Sequence, residues 1–75
     1  MEPFATLDDL ELLWRPLKET EKKKAEALLK TVSASLRYEA KKVHKNLDEM
    51  IAKDEFLLEV AKSVTVDVVA RALMT

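Results

Sequence analysis

No glycine occurs anywhere in this chain of 75 residues, where average usage predicts about five. Glycine supplies the positive-φ backbone that phosphate-cradling loops and tight hairpin turns require. A dinucleotide fingerprint and a P-loop are therefore excluded, and an architecture built on hairpins is disfavoured. Cysteine is also absent, which removes a disulfide frame, a thiolate nucleophile and thiolate metal sites, and leaves the redox compartment unread. What remains open is a helical chain whose breaks rest on Pro16, Asn46 and Asp54.

Composition agrees. Hydrophobic residues make up 48% and charged residues 36%, values of a soluble, helix-rich chain rather than a disordered one. Residues 1–75 read as one domain. A chain this short buries only about 60% of its unfolded surface, so a partner or self-assembly is expected from size alone. No segment has the ~18 uncharged residues of a membrane span. Met1-Glu2-Pro3-Phe4 lacks a basic region followed by an apolar core, so no secretory signal is expected.

The net charge of −1 conceals a segregation. Residues 1–17 carry −3, residues 18–45 carry +5 from nine Lys or Arg against four Glu, and residues 46–75 carry −3. A basic middle between acidic ends bears on association and orientation rather than on fold.

Periodicity predicts four helices: a short first one, one long one, a short connecting one and a long last one. Thr6 is placed to cap the first, with Asp8 and Asp9 in its favourable opening turn. Leu7, Leu10 and Trp14 form its apolar face and Pro16 ends it. Trp14 reads as a core anchor, and Arg15 stays open between a solvated charge and a contact. The long helix is expected from about Glu19 to about Lys45, with Ala25, Leu29, Val32, Leu36 and Val43 in a sector about 60° wide at 100° per residue. Nearly opposite, Lys23, Lys30, Arg37 and Lys41 align within about 40°, and Lys45 continues the row. Three readings of that row stay open: a solvated face, a surface for an acidic protein partner, or a DNA-facing surface.

Asn46, with Glu49 three residues later, predicts a second cap, and Asp54 a third. His44, the only histidine, reads as a helix-end or surface residue, and no metal or cofactor is implied. The segment Ser63–Val69 is β-branched, yet length and the stripe Leu57, Val60, Ala61, Val64, Val68 and Ala72 favour helix from Glu55 to Met74. A second apolar sector, Leu58, Val66, Val69 and Leu73, is the candidate interface. Convergent titratable groups are few, the carboxylate pairs stand at helix starts, and Ser33 and Ser35 lack an identifiable base, so an enzyme is not expected. The fold class is all-α.

Phe4-Ala5-Thr6, Asp9-Leu10, Trp14-Arg15-Pro16-Leu17, Glu21 and Ala25-Glu26-Ala27-Leu28-Leu29 resemble the opening of small tailed-phage proteins. These are the head–tail connector family, also called head-completion or adaptor proteins, in its short Gram-positive phage and prophage form. Val69-Ala70-Arg71-Ala72-Leu73 resembles the family's closing segment. The resemblance implies a virion protein, made in the bacterial cytoplasm, that forms a ring of twelve subunits beneath the portal. Such a ring extends the DNA channel, without sequence recognition, and presents a platform to stopper and tail proteins. Two departures stand out: Lys18 replaces the usual Ser or Thr cap of the long helix, and the usual polar, Gly-containing tail after the last helix is not seen before Thr75. Residues alone also allow a small helical DNA-binding regulator or an antitoxin-like protein-binding module.

Overall fold

The computed structural model describes residues 2–74, and all the regular structure among them is helical: α1 (Leu7–Leu13), α2 (Glu19–Lys42), α3 (Leu47–Lys53) and α4 (Glu55–Met74). The expected all-α architecture of short, long, short and long helices is what forms, and the β-branched run 63–69 is helical within α4. α2 and α4 form the main packed pair, and α1 and α3 each contact both. At 1.5 Å per residue, the 24 residues of α2 span about 36 Å. That length sets the long axis of a molecule measuring 38 × 21 × 19 Å.

Every helix start carries a side-chain device. Thr6 Oγ1 accepts from the Asp9 N–H at 3.2 Å, and Asp9 Oδ2 accepts from the Thr6 N–H at 2.9 Å, a complete capping box. Lys18 stands at the cap of α2, and the Glu21 carboxylate accepts its backbone N–H at 3.0 Å. Asn46 Oδ1 accepts from the Glu49 N–H at 3.1 Å, and Asp54 Oδ1 from the Phe56 N–H at 3.0 Å.

The long helix stops at Lys42, three residues before the expected end, and Val43 is 64% exposed rather than part of the buried stripe. The cause is His44, whose φ of 61° places it in the left-handed region. Lys45 N–H then donates to Ala40 O and His44 N–H to Lys41 O, both at 2.9 Å, the paired bonds of a Schellman terminator. In a chain without glycine, histidine occupies the position that glycine usually fills, at a cost of roughly 1 kcal/mol. His44→Gly is therefore expected to raise the melting temperature by roughly 4–8 °C. A fall in a thermal scan would mean that this turn is not left-handed in solution.

The core gathers Ala5, Leu10, Leu17, Ala25, Leu29, Val66 and Val69, with Leu7, Trp14, Leu28, Val32 and Leu73 packed around them. Two polar residues sit fully inside, and both are hydrogen-bonded. Ser33 Oγ accepts the Phe4 N–H at 2.9 Å, and Thr65 Oγ1 donates to Ala61 O, one turn back on α4, at 2.7 Å. A buried hydroxyl without a partner would cost about 1–3 kcal/mol, so these two bonds are what admit Ser and Thr to the core.

Candidate assembly surfaces

The α1–α2 connection is held by carboxylates. Glu11 Oε2 accepts the Leu17 N–H at 2.8 Å. Glu21 pairs with Arg15 through two bonds, NH1–Oε1 at 3.0 Å and NH2–Oε2 at 2.9 Å. The same guanidinium lies 4.0 Å from the centre of the Trp14 ring and donates to Pro16 O. Trp14 packs partly buried against the core, and Arg15 is engaged by Glu21, Pro16 and the Trp14 ring. The Trp-Arg-Pro-Leu block is thus a structural clasp.

The Arg15 hydrogen bonds, and after them the Lys18 N–H, hold the Glu21 carboxyl down at about 2 from an ordinary 4.5. A carboxyl whose pKa is lowered on folding contributes stability above its unfolded value, and that contribution is lost as pH falls through the folded value. Wild-type protein is expected to lose stability between about pH 4.5 and 2. Glu21→Gln should be less stable at pH 7 and show a shallower slope in that window, read by urea denaturation at several pH values. Parallel slopes would refute the pairing.

The basic row divides. Lys23, Lys30 and Lys41 stand exposed on α2, and Lys45 is exposed beyond its end. Arg37 does not belong with them, because its side chain is only 14% exposed. Its Nε and NH2 grip both Asp48 oxygens on α3 at 3.0–3.2 Å, NH2 donates to Glu2 O at 2.7 Å, and the guanidinium lies 4.2 Å from the Phe4 ring centre. On a helical wheel Arg37 falls in line with the lysines. A guanidinium can instead fold over a neighbouring ring and bind a carboxylate bidentately, which a wheel does not display.

The faces of α4 divide differently from the sequence expectation, although Ala61 of the first stripe is buried at 6% and Leu57 and Ala72 are half-buried. Val66 and Val69, two of the candidate interface residues, are 6% and 0% exposed inside the core; Leu73 packs partly buried against it, and Leu58 is 38% exposed. Val66 and Val69 are thus unavailable to a partner. From the first apolar stripe, Val60, Val64 and Val68 are exposed at 55%, 39% and 43%, in line with Phe56 at 75%. The sector facing α2 includes Thr65, whose bond to Ala61 O satisfies its hydroxyl within the helix.

On another flank of α4, Leu13 of α1 and Trp14 just beyond it border a hollow of about 270 Å³ lined also by Ser63, Val66, Asp67 and Ala70. Among the described residues, no group of three His, Cys, Asp or Glu could hold a metal ion, and no helix is long and apolar enough to cross a membrane. The surface chemistry on offer is apolar contact along α4 and cationic contact along α2.

A family model described as Phage protein Gp19/Gp15/Gp42 matches residues 13–75. Comparison with curated proteins and with solved structures yields no match.

Proposed function

The chain belongs to the Phage protein Gp19/Gp15/Gp42 family, and on that premise we propose that it is a non-enzymatic structural protein of the virion. In this reading it is a head–tail connector that assembles as a ring below the portal, extends the DNA channel and joins head to tail. The observation that carries the reading is α4, a long helix whose apolar residues continue onto its exposed side, including Phe56, Val60, Val64 and Val68. A helix apolar beyond its packed stripe belongs to a larger assembly. A protomer of 75 residues also gains stability by mass action when copies bind its folded form, and weak contacts repeated around a closed ring reinforce one another.

The test is size-exclusion chromatography with light scattering, alone and after mixing with the portal protein of the same phage. Assembly beyond the monomer, or co-elution with the portal, supports the reading; a persistent monomer with no portal binding overturns it.

The exposed lysines favour a second, compatible reading in which Lys23, Lys30, Lys41 and Lys45 face the DNA or an acidic partner. Phosphate contacts weaken steeply between low and physiological salt. A duplex mobility shift lost on that salt increase supports the DNA-facing assignment, and no shift at any salt removes it.

A further inference from the structure

We infer that α4 carries two different halves of one head-to-tail contact, and that each is occupied by a second copy of this chain. One half is the ridge Phe56, Val60, Val64 and Val68, spaced four residues apart along the exposed side of the helix. The other is the hollow bordered by Leu13 and Trp14 over Val66 and Ala70. At 100° per residue the ridge valines and the hollow's α4 residues are centred about 110° apart around α4. The Asp67–Arg71 ion pair, at 3.1 Å and with both side chains largely exposed, runs between them. They are two surfaces and not one patch.

Shape assigns the pairing. The ridge is convex and ends in the most exposed aromatic side chain, Phe56 at 75%. The hollow, about 270 Å³, has room for an apolar side chain. Phe56 and Ala70 lie about 21 Å apart along one helix, so a ridge can fill only a neighbour's hollow. An isologous dimer through the ridge would leave Leu13 at the hollow's edge, 56% exposed, in water. A head-to-tail arrangement covers both surfaces on every copy, and closes if the rotation between neighbours allows.

Area supports the same occupant. Ridge and hollow rim together expose on the order of 500 Å² of apolar side chain. At the usual apolar share of an interface, near 57%, that corresponds to about 900 Å² in total. This approaches the ≈1,000 Å² that marks a specific contact, and suits one repeated twice per subunit.

The inference rests on the ring reading, and complementation separates the two. Val64→Asp spoils the ridge and spares the hollow; Leu13→Asp does the reverse. Circular dichroism should show both folded, since both positions are solvent-exposed, and Val60→Asp and Leu13→Lys replace either one that fails. Wild type should assemble at up to millimolar concentration or on the portal, and each variant alone should remain monomeric. An equimolar mixture retains one intact ridge and one intact hollow, and should stop at a one-to-one dimer in sedimentation velocity. Variants that assemble like wild type overturn the inference and leave the ring standing. A Leu13→Asp protein that assembles while Val64→Asp does not means an isologous ridge contact, and also overturns it. Monomeric wild type, with and without portal, ends both.

Discussion

Val69→Asp is expected to yield no folded protein, whereas Val68→Asp, one residue earlier, should fold with a stability within about 1 kcal/mol of wild type. Val69 is fully buried against α1 and α2 residues of the core, and Val68 is 43% exposed. An unpaired carboxylate at position 69 costs several kcal/mol. The whole fold is worth about 4–11 kcal/mol at roughly 0.05–0.15 kcal/mol per residue. Far-ultraviolet circular dichroism at 25 °C reads the difference directly, and the adjacent positions control for helix propensity. The reverse result, Val68→Asp unfolded and Val69→Asp folded, would restore the packing face expected from the stripe through Val64 and Val68.

The rival faces of α4 show where sequence legibility ended. Helix identity was readable throughout, because Thr6, Asn46 and Asp54 are cap residues whose bonds form as their chemistry dictates, and no glycine or proline interrupts α2 or α4. Orientation was not readable for α4, since both of its sectors are rich in Val, Leu and Ala. The choice between them is made by partners distant in sequence, α2 and α1. Thr65 and Ser33 worked against the reading, each polar by type and buried by virtue of one hydrogen bond. The early end of α2 has a readable cause only in retrospect: histidine is among the residues enriched in left-handed backbone. Of the basic row, the three lysines within α2 were placed correctly as exposed, and Arg37 was lost to the Phe4 and Asp48 contacts that only tertiary structure creates.

Those contacts make Arg37 and Ser33 the pair that fastens the chain's first described residues to α2, and the second large effect is expected there. Ser33 Oγ takes the Phe4 N–H inside the core, while Arg37 covers the Phe4 ring and binds Glu2 O. Ser33→Ala strands a buried N–H, at about 1–3 kcal/mol. Arg37→Ala removes a bidentate ion pair, a cation–π contact and a backbone bond, together about 2 kcal/mol once the half-exposed Asp48 is discounted. Both act by holding Phe4, so the double variant should cost less than the two single losses combined, by about 1 kcal/mol in urea denaturation. Strict additivity would mean that the two residues hold independent structure. Arg37→Lys should recover little of the loss, because an ammonium cannot reproduce the fork on Asp48. If duplex DNA binds the lysine row, Arg37→Ala should leave its salt dependence unchanged, whereas Lys23→Gln, Lys30→Gln and Lys41→Gln should each lower the slope by about 1. A lowered slope for Arg37→Ala would return the guanidinium to the phosphate-facing set and deny it a purely structural role.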